Sequence, residues 1–235
     1  MGRVYLYVGG IIVLGTIALV VAGVSSRLDG VLGLRPSGFI ILAVLLFLSE
    51  ARPMTILRLH EGSDITISWT FAFALVLLSP AGALFAMAGA SAFGDAIRRK
   101  PLVRVAFNAA QMVVSLAVAT CVLALPHGHD LFARSEPMLP WFGVMLCAAS
   151  AAFFTNIMLT SVVLALQEGV GVYPMMSKAV ASNLSTDGML LALGPVFAIT
   201  ASWGIGLALS QLAVVPKGLQ SAEAAAGRSG VLIFR

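Results

Sequence analysis

Residues 66–96 read TISWTFAFALVLLSPAGALFAMAGASAFGDA, an apolar run that Ser79-Pro80-Ala81-Gly82 interrupts at its middle. Proline and glycine at this place permit either one long kinked helix or two short helices joined by a tight turn. Residues 186–215 pose the same question, because Gly194-Pro195 and Ser202-Trp203-Gly204 interrupt them. The way in which these two stretches fold sets the number of times that the chain crosses a membrane.

The composition predicts an integral membrane protein. Of the 235 residues, 60% are apolar and 10% are charged, whereas roughly a quarter of the residues of a soluble domain are charged. This balance excludes a disordered chain, a coiled coil and a secreted disulfide scaffold. The net charge of +4 is spread over loops and predicts membrane orientation rather than nucleic-acid binding.

Three stretches are clear candidate spans, because each can cross about 30 Å at about 1.5 Å per residue: residues 4–24, 102–125 and 138–166. Segment 37–49 is shorter and is bounded by Arg35-Pro36 and Glu50. We therefore predict an all-α, polytopic transmembrane helical bundle of about eight spans, including two pairs of short helices. The short helices in 37–49, 66–96 and 186–215 either cross fully or re-enter.

The distribution of Lys and Arg favours eight spans, because short cytoplasmic loops carry an excess of these residues. The densest cluster, Arg98-Arg99-Lys100 with Arg104, is therefore placed inside. With both ambiguous stretches folded as hairpins, eleven basic residues lie inside and three lie outside, namely Arg27, Arg35 and Arg134. A seven-span alternative, in which only 186–215 is divided, gives ten and four. Two single helices would give seven and seven.

Polar amides at membrane depth are the candidate ligand-binding residues. Asn108 and Gln111 lie three positions apart on one face of a span, and Asn156 falls within the next span. Amides at this depth turn away from lipid. They either join helices by hydrogen bonds or bind a small ligand in a central cavity.

Three tryptophans, Trp69, Trp141 and Trp203, fall near the predicted span ends. Tryptophan there is typically an interfacial anchor. The alternative, for Trp69 and Trp203, is the aromatic wall of a ligand pocket.

Small residues recur every four positions along 81–96, where they predict close helix packing: Gly82, Ala86, Ala90 and Gly94. The stripe serves packing within the subunit or, alternatively, a dimer or partner face. Cys121 and Cys147 lie in apolar runs, and we predict two buried thiols.

The charged residues and histidines give little support for a proton relay, a metal site or catalysis. Asp95 and Asp187 lie at span ends, where an interfacial role suffices, so a proton relay has little support. His127, His129 and Asp130 cluster in the outer loop, but two histidines and one carboxylate make a weak metal signal. We predict a solvated loop, no metal site, no cofactor and no catalytic residue, since no nucleotide-binding, metalloprotease or serine-hydrolase motif is present.

One ordered set of motifs resembles a known family. It comprises Ser49-Glu50-x-Arg52-Pro53, Ile67-Ser68-x-Thr70-Phe71, Ser79-Pro80-Ala81-Gly82, Asp95-x-x-Arg98-Arg99-Lys100-Pro101-Leu102 and Phe107-Asn108-Ala109-Ala110-Gln111. The order resembles the N-terminal multi-helix membrane sensor region of bacterial, notably actinobacterial, cyclic-di-GMP signalling proteins. Those proteins carry GGDEF, EAL or HD-GYP domains on the cytoplasmic side. The resemblance covers roughly residues 45–215.

The resemblance implies a sensory module in the bacterial cytoplasmic membrane. Residues 1–215 would form the transmembrane module, and residues 216–235 a cytoplasmic tail or linker to an output domain, with both termini inside. The longer parent would be a diguanylate cyclase or a cyclic-di-GMP phosphodiesterase. Residues 216–235 contain no GGDEF, EAL or HD-GYP signature, so this chain is not predicted to be an enzyme.

The expected partners are the lipid bilayer, a small-molecule or lipid ligand, a cytoplasmic output domain or effector and, by resemblance, a second copy in a homodimer. The alternative function is the membrane substrate-binding component of a vitamin-type transporter. Such components are also compact, helical and free of catalytic motifs. The third hypothesis is a purely structural or assembly protein.

Overall fold

The computed structural model describes residues 2–28, 36–51, 67–125, 138–184, 191 and 193–198. These residues are all-α, without a β-strand among them. A short helical stretch covers 194–198, after seven helices: α1 (Gly2–Leu28), α2 (Pro36–Ala51), α3 (Ser68–Leu78), α4 (Pro80–Ile97), α5 (Leu102–Ala124), α6 (Met138–Glu168) and α7 (Val172–Asn183).

Three helical segments are long and apolar enough to cross a membrane: Gly2–Ser25, Leu102–Ala124 and Phe142–Glu168. Two shorter apolar helices accompany them. Large apolar side chains cover the outer faces of these helices, as at Leu6, Ile17 and Phe154. Such faces are costly in water and favourable against lipid tails. The fold therefore indicates a multi-pass membrane protein.

The stretch 66–96 divides into α3 and α4, as the two-helix prediction requires. Ser79 has an extended backbone, with φ −154° and ψ 93°, and Pro80 starts α4. Ser68, at the start of α3, lies at the Glu50 carboxyl group, and the Glu50 backbone lies against Gly94 near the end of α4. Because both ends of the stretch meet the same residue of α2, the chain reverses direction at Ser79.

Glycines of α4 bring its backbone against α2. A β-carbon on Gly82 would lie 2.7 Å from a ring carbon of Phe39, and one on Gly94 would lie 2.6 Å from the carbonyl oxygen of Glu50. Contacts therefore follow the same order along both helices, which means that α2 and α4 run parallel. Ala90, another member of the predicted stripe, is fully buried, and Ala86 is half-buried.

Helix α3 occupies the centre of the core, and ten of its eleven residues are buried. At about 1.5 Å per residue it is only about 16 Å long, which is too short to cross about 30 Å of hydrocarbon alone. Neighbouring helices shield it instead. Trp69, in its first turn, is 4% exposed and belongs to the main core cluster. The interfacial-anchor interpretation of Trp69 is therefore wrong.

The two cysteines correct another prediction. Cys121 in α5 and Cys147 in α6 are free and exposed on the outer faces of the helices, not buried. The sequence could not separate the two cases, because lipid and protein core are similarly apolar and a small thiol suits both.

Helix α1 packs across α5 and α6 at a second, smaller core cluster. The hydroxyl of Tyr7 donates a hydrogen bond of 3.0 Å to the carbonyl oxygen of Leu159, and its ring lies 6.5 Å from that of Phe107. Farther along, a β-carbon on Gly15 would lie 2.7 Å from Cα of Ala110. These contacts place α1 and α5 side by side in the same direction.

A surface helix follows α6. Gly169, with φ +69°, follows the last residue of α6, and α7 begins at Val172. No residue of α7 is buried, but Met176 and Ala179 pack against the core.

Only part of the second ambiguous stretch can be compared with its prediction. In the short helical stretch 194–198, a β-carbon on Gly194 would lie 2.7 Å from Phe73 of α3, and Phe197 makes an edge-to-face contact with Phe71 at 5.5 Å. The predicted division of 186–215 and the tail 216–235 lie outside the described residues.

Candidate functional site: a polar cavity at the charged end

A cavity of about 900 Å³ lies where α1, α2, α4, α5 and α6 meet. We call this end of the bundle the charged end, because the cavity walls there include five charged side chains: Glu50, Asp95, Arg98, Lys100 and Arg104. Valine, leucine and phenylalanine side chains form an apolar part of the wall, and uncharged polar side chains also line it. The charged-end cavity is thus both polar and apolar, and its volume falls within the range of about 300–1,000 Å³ common to small-molecule sites.

Asp95 is the hub of the polar wall. Its side chain is only 6% exposed and accepts from Lys100 Nζ at 2.5 Å, with Arg98 Nη1 at 3.8 Å. Its second oxygen accepts a 2.6 Å hydrogen bond from Nδ2 of Asn108. The turn between α4 and α5 makes this arrangement possible, because Arg99 adopts a positive φ of 53° and turns the chain back. One carboxylate therefore joins α4, the turn and α5.

Arg98 extends the same network to α2. Its Nη2 donates a 2.7 Å hydrogen bond to the carbonyl oxygen of Glu50, which lies in the last turn of α2. The last carbonyls of a helix lack intrahelical donors, and a cation near them is favourable. Arg98 therefore donates a hydrogen bond to a carbonyl oxygen in the last turn of α2 and also lines the cavity.

Gln111 joins α5 to α6. Its Nε2 donates to Oδ1 of Asn156 at 2.6 Å and to Oγ1 of Thr160 at 2.7 Å. Gln111 is 6% exposed, so a loss of these bonds would leave a polar amide in an apolar interior. Both partners hold α6 in register against α5.

The predicted binding residues fall in different places. Asn108 and Gln111 line the charged-end cavity, and both also make the interhelical bonds that the alternative interpretation expects. Asn156 lies behind this wall, as the partner of Gln111. Trp69 is in the core and does not line this cavity, and Trp203 lies outside the described residues. Ligand binding by these residues stays a prediction.

Sequence reasoning missed Asp95 and Glu50, which it treated as residues of span ends. A signal was present in α5, where polar residues recur at spacings of four, three and four and so share one helical face: Arg104, Asn108, Gln111 and Ser115. The partner of Asn108 on that face could not be found from local spacing, because Asp95 belongs to another helix.

Ser91 and Arg104 are polar residues of the cavity wall whose side chains have no protein partner in the described part of the chain. Ser91 is 4% exposed, yet its hydroxyl makes no hydrogen bond there. Arg104 makes no ion pair with any described carboxylate. Both residues line the cavity, so these groups are available to a molecule inside it.

Metal ligation has no support in the described ranges, where no three His, Cys, Asp or Glu side chains converge. His127, His129 and Asp130 lie outside those ranges.

Comparison with known proteins gives no relative. No family model, no curated protein and no solved structure matches the chain.

Proposed function

We propose that the chain is a signal-input module of a multi-pass membrane protein, in which the occupant of the charged-end cavity changes how the surrounding helices pack. One observation carries the proposal: the bonds that hold α4 to α5 and α5 to α6 involve side chains of the cavity wall, namely Asp95, Asn108 and Gln111. An occupant that competes for these bonds would bind two packings with different affinity. Such a difference is what a signal requires.

The proposed topology has eight spans, with the charged end and both termini in the cytoplasm. The contacts at the cavity support the part of this topology up to residue 167, because residues 4–8, 50, 95–104 and 160–167 meet there, as alternating crossings require. The concentration of basic residues at that end favours the cytoplasmic side. This orientation is the same whether α3 and α4 cross the membrane fully or re-enter. In either case the start of α3 and the end of α4 lie at Glu50.

The proposed output lies on the cytoplasmic side, in an attached domain or a separate effector. Its cyclic-di-GMP type rests on the motif resemblance alone. The physical means of transmission would be a shift of helices at the charged end. Such shifts are typically about 1–2 Å where helices slide past one another.

Distances between spin labels test the proposal. Both exposed cysteines are replaced by alanine, and labels are placed at Ile97→Cys and Val170→Cys, which are exposed and outside the cavity wall. We expect the distance between the labels to change by about 1–2 Å when nanodiscs of neutral synthetic lipid are replaced by nanodiscs of lipid extracted from the native membrane. Pulsed electron–electron resonance measures this distance.

A matched pair at the opposite end, Val24→Cys and Leu125→Cys, serves as the control and should stay unchanged. Identical distributions of the spin-label distance for the charged-end pair in both lipids would contradict a signal-input role and favour a structural protein. A tightly bound soluble vitamin, released from the purified protein and identified by mass spectrometry, would instead favour the transporter component.

A further inference from the structure

The charge of the cavity wall defines the kind of occupant. Arg98, Lys100 and Arg104 face the carboxylates of Glu50 and Asp95, which leaves one net positive charge when all five groups are ionised. Asp95 already binds Lys100, with Arg98 nearby, so Arg104 is the cation left without a carboxylate in the described ranges. Arg104 also lies in the first turn of α5, where the helix dipole favours an anion. The wall therefore carries net positive charge and suits an anion.

The hydrogen-bonding groups of the wall add a second requirement. Ser91 is 4% exposed and lines the cavity, and its hydroxyl has no hydrogen-bond partner among the described residues. Asn108 and Gln111 donate through their amide nitrogens, and their amide oxygens, which are separate acceptors, receive no hydrogen bond from those residues. A headgroup with hydroxyls and an anionic oxygen would satisfy all three side chains, since hydroxyls both donate and accept.

The apolar part of the wall favours an amphiphile. Val4, Val8, Val103 and Phe107 line the cavity beside the charged groups, and the neighbouring Leu6 and Leu102 are 79% and 85% exposed on the outer surface. A soluble anion would leave this apolar surface without a partner. A lipid joins an anionic head to hydrocarbon chains and would cover both parts.

We infer that the charged-end cavity binds the headgroup of an anionic membrane phospholipid, a singly charged phosphodiester with free hydroxyls, with Arg104 on the phosphate and Ser91 on a headgroup hydroxyl. The lipid's chains leave the cavity along the apolar surface of α1 and α5. The inference rests on the proposed function for the membrane location of the cavity, and it names the class of ligand.

Native mass spectrometry of the full chain in detergent tests the inference with phosphatidylglycerol as the probe. We expect phosphatidylglycerol to bind at least about tenfold more tightly than phosphatidylcholine, about 1.4 kcal/mol. Arg104→Gln should remove most of that preference, and Ser91→Ala should weaken binding about threefold or more. Arg99→Gln is the matched control, because Arg99 lies in the adjacent turn and does not line the cavity. It should bind as the unaltered protein does.

Three results would overturn the inference. Equal binding of both lipids, or equal losses in Arg104→Gln and Arg99→Gln, would show that the cavity does not select the headgroup. Displacement of phosphatidylglycerol by an equal concentration of soluble glycerol 3-phosphate would identify a free phosphate ester as the occupant instead. A lipid that binds selectively without changing the spin-label distances would contradict the signal-input role and leave this inference standing, so the two failures are distinguishable.

Discussion

Gly94→Ala is expected to destabilise the protein by about 1–3 kcal/mol, the usual cost of forcing an extra carbon into a packed interior. The new β-carbon would lie 2.6 Å from the carbonyl oxygen of Glu50 and 3.0 Å from its carbonyl carbon. Both atoms are backbone, so α2 and α4 must separate to relieve the contact. The loss is measured as a lower midpoint of thermal unfolding in detergent.

Gly143→Ala in α6 is the control for Gly94→Ala. A β-carbon at Gly143 would meet nothing within 4 Å, and alanine is the better helix former by roughly 0.5–1 kcal/mol. Unfolding should therefore occur at the same or a slightly higher temperature. A Gly94→Ala protein as stable as the Gly143→Ala protein would contradict the close contact between α2 and α4.

Asp95→Ala is expected to cost about 2–4 kcal/mol. Removal of one partner of a buried ion pair leaves the other charge uncompensated, at about 3–5 kcal/mol, and the lower range applies because the Lys100 side chain is 29% exposed. Asn108 also loses its acceptor. Thermal unfolding gives the total cost, and Asp95→Asn, which keeps an acceptor oxygen but no charge, should lose less.

Glu168→Ala is the matched control for Asp95→Ala, because it removes an exposed carboxylate at the end of α6. Exposed substitutions of this kind usually change stability by less than about 0.5 kcal/mol. If the two alanine variants unfold at the same temperature, Asp95 is not the hub that joins α4 to α5.

Much of the fold is local in origin and could therefore be predicted from the sequence. Continuous apolar runs define the long spans, and Ser79-Pro80 marks the reversal in 66–96, because proline cannot continue a helix across that point without a lost hydrogen bond. The residues that end a span are neighbours in the sequence, so the local sequence pattern predicts where the span ends.

Side-chain orientation could not be predicted in the same way. Trp69 was expected at the interface and is in the core, whereas Cys121 and Cys147 were expected in the core and lie on the outer faces. In water, burial separates apolar from polar residues. In lipid both environments are apolar, so hydrophobicity alone does not assign a face.

The candidate site was predicted in part. Asn108 and Gln111 were found because amides at membrane depth are rare and need partners. Asp95 and Glu50 were missed because each lies near a helix end, where a carboxylate is ordinary, and because their partners come from other helices. The contacts of Asp95 and Glu50 depend on how the helices meet at the charged end. The spacing of residues within one helix does not predict that arrangement.

Five helices meet at the charged end, which we propose to be cytoplasmic, and cysteine accessibility tests this arrangement most directly. In a protein without Cys121 and Cys147, single cysteines replace Arg3, Arg99 and Val170 near the charged end and Leu125 at the opposite end. A membrane-impermeant maleimide should label Leu125→Cys in spheroplasts, and the other three only after lysis. If all three are labelled in intact spheroplasts and Leu125→Cys is protected, the orientation is the reverse of the one proposed. Labelling of only one or two of the three would contradict the fold itself.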